Sequence, residues 1–381
     1  MRSDYTRSFK DVRMYRTPGG RMAKKTARKA HSTSKRTPTR SRPRTARPGH
    51  SAARLLQLGL GFWGPRAFLS AVELGVFSVL AKGPLGENQL RERLGLHPRS
   101  ARDFLDTLVA LGPLQRNAGK YRNAPDADAF LDRAKPGYAG AILEMAAARL
   151  YPFWGSLTEA LRTGAPQNEA KHGGDVFATL YADAERLRGF LTAMTAISMD
   201  SARAIAAKFP WKKYQNFIDV GGAQGCVPVQ VALAHKHLHG AAFDLPPVGP
   251  IYDEYVRTFG LETRLKFHAG DFFRDPMPQA DVLIMGHILH DWNLQEKHVL
   301  LQKAYAALPK RGALIVYDAM IDDARCRNVA GMLMSLNMLI ETPGGFDYTP
   351  ADCRSWMKAT GFRNTSVVPL TATESMVIAT K

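Results

Sequence analysis

Asp219, Asp244 and Asp271 each stand at the carboxyl end of a short apolar run. The first run, Phe217-Ile218-Asp219-Val220, passes directly into Gly221-Gly222-Ala223-Gln224-Gly225. A strand that breaks into a glycine turn before a helix lets the backbone approach a nucleotide-like ligand, because residues without a Cβ leave room for it. The Asp219 carboxylate then suits a ligand ammonium group and would repel a phosphate. The spacing is not the GxGxxG of a dinucleotide site, and a purely structural glycine turn is the alternative at this point. Asp244, 25 residues beyond Asp219 in Phe243-Asp244-Leu245-Pro246, is placed to accept hydrogen bonds from both hydroxyls of a ribose. Gly270-Asp271-Phe272-Phe273 adds a carboxylate for an adenine amino group and an aromatic ring to cover the base.

Imidazoles are the second chemical resource. His290, in Ile288-Leu289-His290-Asp291-Trp292, follows another apolar run and so falls at the carboxyl edge of a sheet, where ligands of doubly wound folds bind. His287 and His290 are three apart and His235, His237 and His239 alternate, so metal ligation has to be weighed. The alternating set flanks Lys236 near a helix end and reads as a solvated surface. His290 is better employed as a base, and no metal is expected.

Taken together, DVGGAQG, FDLPPV, GDFF, ILHDWN and GGFDYT resemble the hydroxyl-directed class I methyltransferases typified by plant caffeate and acetylserotonin O-methyltransferases and their bacterial relatives. The resemblance covers about residues 55–381. It implies S-adenosylmethionine as cofactor, with Gly221, Gly222 and Asp244 on its amino acid and ribose and Asp271 and Phe272 on its adenine; Asp219 is the acid suited to its ammonium group. Ala223 replaces the third glycine of the family's run, and Gly286 stands where a lysine is usual.

Methyl transfer from a sulfonium is an in-line displacement that needs a nucleophile and little else. A phenol, with pKa near ~10, becomes a good nucleophile as its proton leaves, and imidazole can take that proton. His290 is therefore the expected general base. Asp318 and Glu341 occupy the family's positions for carboxylates behind such a base; glutamate is usual at both, and Glu341, one methylene longer than Asp318, is the expected orienting partner. The acceptor wall is expected from Phe153, Trp154, Tyr181, Met194, Met334, Asn337 and Met338, with Asn337, Met338 and Trp154 as the named contacts. Adaptable apolar walls are built from such residues, although at helical spacing they serve equally as core.

These residues need elements to carry them. From residue 216 onward, apolar runs at Phe217–Val220, Ala241–Asp244, Leu265–Ala269, Val282–Met285, Ala313–Asp318, Thr365–Pro369 and Ser375–Ala379 alternate with helical stretches. That alternation predicts an α/β fold, a Rossmann-like, doubly wound and mostly parallel sheet, over 216–381. Upstream, Leu55, Leu58, Phe62, Phe68, Val72, Val76 and Leu80 recur at helical spacing, and Gly64-Pro65 is expected to divide them into two helices. Further helices over Glu87–Leu94 and Pro98–Leu111 and a hairpin around Gly119 complete a winged helix over 51–125, an otherwise helical dimerisation domain. Residues 126–215 are expected to form a helical linker and substrate lid.

A winged helix raises the question of DNA. Between Pro98 and Leu111 the charges Arg99, Arg102, Asp103 and Asp106 cancel, whereas a groove-reading helix needs a surplus of Lys and Arg. Packing or homodimerisation is therefore expected. The formal charge of +18 has another origin, because residues 1–50 hold 16 of the 52 Lys and Arg and two of the 34 acids. That segment lacks the apolar residues that offset chain entropy and is expected to be a disordered basic tail, capable at most of nonspecific nucleic-acid contact. Three scattered cysteines give neither a disulfide framework nor a zinc knuckle, and no apolar run reaches membrane-spanning length. A cytoplasmic setting follows as the expectation.

The expected activity is methylation of a hydroxyl on a small aromatic or polyketide-like acceptor. Two rivals remain open: sulfur or carbon methylation on the same fold, with His290 only positioning substrate, and a non-catalytic winged-helix regulator.

Overall fold

A computed structural model describes residues 51–135, 137–172 and 180–381. The tail expected over 1–50 lies outside the described residues. Residues 55–381 form one unit.

The first part of that unit is helical with a small wing. Helices at Trp63–Glu73, Val76–Leu80, Glu87–Arg93 and Pro98–Leu111 are joined by β1 (Leu85–Gly86), β2 (Leu114–Asn117) and β3 (Lys120–Asn123), in the sheet order β1-β3-β2. The expected break at Gly64-Pro65 is absent. Pro65 lies in the first turn of Trp63–Glu73, where a missing N–H costs no intrahelical bond, and the chain divides instead at Leu60–Phe62 and at Gly75. His97 caps the next long helix through Nδ1, with Pro98 in its first turn. Phe77, Leu90, Leu105, Leu108 and Tyr121 pack into a core of their own, and the Tyr121 hydroxyl donates to Asp106, which also pairs with Arg116. In contrast, Leu55, Leu58 and Trp63 are 72%, 80% and 63% exposed.

A helical stretch follows. Gly140–Met145 continues through a π-helical turn, Ala146–Leu150, into Tyr151–Trp154, and after a break at Gly155-Ser156 comes Leu157–Thr163. The 25-residue helix Ala184–Lys208 begins where the Asp183 carboxylate accepts from the N–H groups of Glu185 and Arg186.

The remainder is built on a seven-stranded sheet of order β6-β5-β4-β7-β8-β10-β9, with helices such as Cys226–Ala234, Leu294–Ala307 and Val329–Glu341 between its strands. Its strands are β4 (Asn216–Val220), β5 (His239–Asp244), β6 (Leu265–Ala269), β7 (Val282–Gly286), β8 (Ala313–Asp318), β9 (Arg363–Pro369) and β10 (Ser375–Thr380). Strands β4 to β8 are parallel, and β10 runs antiparallel to both β8 and β9. All six residues of β8 are buried, which is why its sequence is continuously apolar up to Asp318 rather than alternating. Side chains diverge to two cores, Phe217, Ile284 and Ile315 on one face and Ile218, Leu283 and Leu314 on the other. The sheet order reverses beside β4 and β7, so the loops after these strands open a crevice at their carboxyl ends. Among the described residues no helix is long and apolar enough to cross a membrane.

Candidate active site

One cavity of about 730 Å³ occupies that crevice, and Asp219, Gly221, Gly222, Asp244, Asp271 and Phe272 all line it. At Gly221 the backbone is left-handed, with φ +68, and a Cβ there would lie 2.2 Å from Ile288 Cδ1. The turn is drawn against β5 by the bond from Gly221 N–H to the Phe243 carbonyl at 2.8 Å. Asp244 clasps the same turn. Its Oδ2 accepts from Ala223 N–H at 2.9 Å and its Oδ1 from Leu245 N–H at 2.7 Å. Ala223 therefore serves through its backbone and tolerates φ +48 without a third glycine.

Burial pushes Asp244 up to about 6 despite those two hydrogen bonds. Burial, followed by the charge of Asp244, holds Asp219 well above the carboxylate range. Two crowded carboxylates in a cavity wall are the arrangement that a bound ammonium group and ribose hydroxyls would relieve. At the other end Asp271 Oδ1 accepts from Phe273 N–H at 2.8 Å, and the Phe272 ring stands edge-on to Trp292 at 5.8 Å.

Gly286 has a structural explanation. A Cβ at that position would lie 2.0 Å from Tyr317 Cε1, because the ring of Tyr317, at the end of β8, fills the space beside it. No longer side chain fits at 286 while Tyr317 is present, and Tyr317 itself lines the cavity.

His290 lies in a short turn, Leu289–Asp291, just after β7. Its Nδ1 is 3.3 Å from Asp347 Oδ1 and 3.8 Å from Asp318 Oδ1, and its Nε2 is 3.6 Å from Asp291 Oδ1. Burial alone would strip its proton. The charges of Asp318 and Asp291, with the hydrogen bond and charge of Asp347, outweigh burial and push His290 up to about 10. Burial and the His290 charge have the opposite effect on His287, held down to about 3. Asp318 is raised by burial to about 7, and its Oδ2 accepts from the Tyr348 hydroxyl. His287, His290 and Asp318 present ligand atoms within 4.8 Å of one another. The cavity wall is formed by His287, Ile288, Asp291 and Trp292, with His290 just behind them and 7% of its side chain exposed.

Glu341, expected to orient His290, is directed elsewhere. It is the last residue of the helix Val329–Glu341, and its carboxylate pairs with Arg149 of the π-helical turn, which also holds Glu169. Asp347 takes the expected place at Nδ1. Asp347 stands inside the GGFDYT stretch, where nothing in the local sequence points to His290. Trp154 and Asn337 satisfy each other through a 2.9 Å bond from Nε1 to Oδ1, and Met338 is buried. The cavity is lined instead by Tyr181, Phe190, Met194 and Thr195, with Glu341 and Thr342. Tyr181 and Met194 were expected there.

A family model for the O-methyltransferase domain matches residues 154–363, and one for the O-methyltransferase dimerisation domain matches 56–133. The chain is 44% identical to the tetracenomycin polyketide synthesis 8-O-methyl transferase TcmO of Streptomyces glaucescens, covering 86% of this chain and 96% of that one. It is 39% identical to the N,N-dimethyltransferase OxyT of Streptomyces rimosus, covering 83% and 92%. The crystal structure of human N-acetylserotonin methyltransferase in complex with SAM superposes with a TM-score of 0.80 at 26% identity, covering 88% of this chain and 99% of that one.

Proposed function

From the membership of this chain in the S-adenosylmethionine-dependent O-methyltransferase family, we propose that it methylates a phenolic hydroxyl on a fused-ring aromatic polyketide, with His290 as general base, and works as a homodimer. The carrying observation is the imidazole of His290 held between Asp347 and Asp291 directly behind the cavity wall.

When bound, S-adenosylmethionine supplies an electrophilic methyl group carried on a positively charged sulfur. Asp219 and Asp244 are suited to its ammonium group and ribose, and Asp271 with Phe272 to its adenine. Phe190, Met194 and Trp292 give an apolar wall against which a flat acceptor can lie and from which it displaces water. Asp318, Asp347 and Asp291 raise the proton affinity of His290 to about 10, matched to a phenol at ~10. A proton shared between groups of equal affinity moves with little cost, and the oxygen gains nucleophilicity as it goes. The test is turnover of 1,8-dihydroxynaphthalene with isotope-labelled cofactor in wild type and in His290→Ala. Methylation by the wild type and its loss in the variant are expected; an equal rate in both excludes the base role.

The similarity to OxyT favours one second reading, transfer to an amine nitrogen. An aminonaphthol offered to the enzyme distinguishes the two, because N-methyl and O-methyl products differ in mass-spectrometric fragmentation.

A further inference from the structure

A base that binds its proton tightly, behind the wall of a cavity from which the acceptor excludes water, must still be emptied before the next turnover. A file of polar side chains leads away from it. Asp318 Oδ1, already 3.8 Å from His290 Nδ1, is also 3.8 Å from His287 Nδ1. On the other side of that second ring, His287 Nε2 is 3.4 Å from Glu374 Oε1, and Ser201 donates to the remaining Glu374 oxygen. His287 Nε2 and Asp318 Oδ1 are both buried, and among the described residues neither makes a hydrogen bond. Glu374, just before β10, keeps 9% of its side chain exposed and lines a separate open cleft of about 340 Å³ with Asp322, Arg327 and Thr373.

His287 also adopts the left-handed region, at φ +55, which a residue with a Cβ seldom occupies. That conformation turns its ring between two carboxylates, against the Tyr317 ring at 5.1 Å. An imidazole with one nitrogen toward each of two acids can take a proton on one side and give one up on the other.

We propose that Asp318, His287 and Glu374 form a relay that carries the acceptor's proton from His290 to the cleft lined by Glu374. The proposal rests on the reading of His290 as base. As the acceptor O–H bond breaks, its proton goes to His290 and the oxygen keeps the electron pair that forms the bond to the methyl carbon, while the pair of the broken carbon–sulfur bond stays on the sulfur. Asp318 takes the proton from His290 Nδ1 and passes it to His287 Nδ1. His287 releases the proton on Nε2 to Glu374, which gives it to water in the cleft, and both rings return to their first tautomers. One proton leaves for each methyl group transferred, with no further reactant. The surroundings suit these roles. Burial and the nearby His290 charge keep His287 neutral, so it conducts without trapping, while burial raises Asp318 and Glu374 toward values at which each can hold a proton in passing.

The test is made with the cavity closed by methylated product. In full-length protein labelled with ¹⁵N-histidine and saturated with S-adenosylhomocysteine and 1,8-dimethoxynaphthalene, exchange of the His290 ring protons with water is measured by magnetisation transfer in wild type, His287→Gln and Glu374→Gln. Each variant keeps the size of the side chain and removes its ability to pass a proton on. Slowing by tenfold or more in both is expected, with cofactor-product affinity unchanged in Glu374→Gln, and imidazole added to His287→Ala is expected to restore the rate. Exchange in Glu374→Gln at the wild-type rate overturns the relay, whether or not His287→Gln folds. Undiminished turnover in His290→Ala is a separate result that removes the base reading itself.

Discussion

Asp347 Oδ1 lies 3.3 Å from His290 Nδ1, and these two buried groups come from loops 57 positions apart in the chain. Two bonds hold the loops together. Lys297, wholly buried, donates to the carbonyls of Trp292 and Phe346, the first beside His290 and the second beside Asp347, and its ammonium stands 3.5 Å from the centre of the Phe346 ring. The imidazole is thereby fixed from behind, with its orientation set before an acceptor arrives. His290→Ala is expected to lower kcat by about 10²–10⁴-fold, the usual contribution of a positioned base. Asp347→Asn, which keeps the shape and loses the charge, is expected to lower it by roughly 10-fold or more. Calorimetry with S-adenosylhomocysteine checks that the cofactor site is intact in both.

The same carboxylates fix the pH dependence. His290 acts as a base only when unprotonated, and its proton affinity is raised to about 10, so kcat/KM is expected to climb with pH from neutrality toward that value. Asp347→Asn removes one of the groups holding the proton and should move the rising limb to lower pH. A profile flat from pH 7 to 9.5 would exclude His290 as the group whose ionisation controls the rate. Stability should run the other way. A histidine raised on folding contributes stability that is fully present below its unfolded value of ~6.5 and is lost as pH rises through about 10. Asp244 and Asp291, raised by burial to about 6, carry a penalty that is complete by about that pH, and Asp318, raised to about 7, carries one that is still growing there. Both effects have one sign, and the Tm of ligand-free protein is expected to fall between pH 6 and 9 in calorimetric scans.

Gly286 and Tyr317 form a pair of another kind, one side chain absent so that the other can be present. Gly286→Ala places a Cβ 2.0 Å from a ring that is 3% exposed and cannot swing aside. Overpacking of this sort costs about 1–3 kcal/mol, to be read from urea denaturation. Adding Tyr317→Leu should recover part of that loss, because the two positions share one volume and their effects cannot add. Simple additivity in the double variant would show that the ring is free to move.

What could be read in advance follows from the distance over which each feature is determined. Ala313–Asp318 declared itself because a covered parallel strand is apolar at every position, and Gly221 because a side chain there would meet a left-handed backbone and the Ile288 side chain together. Such signals are complete within a few residues. The aim of Glu341 is not, for it depends on Arg149, 192 positions earlier, and a carboxylate at a helix end turns toward whichever cation the fold delivers. Asp347 escaped for a similar reason, since an acid between Gly345 and the helix cap Thr349 looks like ordinary turn chemistry until β7 brings His290 beside it. Trp154 and Asn337 have the composition of an acceptor contact and spend it on each other.

The apolar surface ahead of the wing has no burial partner within the described chain. Leu55, Leu56, Leu58, Phe62 and Trp63 are all more than half exposed, and all but Leu55 fall within the stretch matched by the dimerisation-domain model. Burying such side chains against a second copy yields about 25 cal/mol per Å², and a cluster containing Trp and Phe is typical of the anchors that carry an interface. A charge placed among them would have to be desolvated on association, at a cost that a contact of this kind cannot offset. Leu58→Glu is therefore expected to convert a dimer into a monomer in sedimentation velocity without lowering the Tm of the catalytic part, whereas Arg99→Glu, on the near-neutral helix Pro98–Leu111, should leave assembly unchanged. A wild-type chain that sediments as a monomer at micromolar concentration would remove the dimer. A Leu58→Glu protein that still sediments as a dimer would place the interface elsewhere.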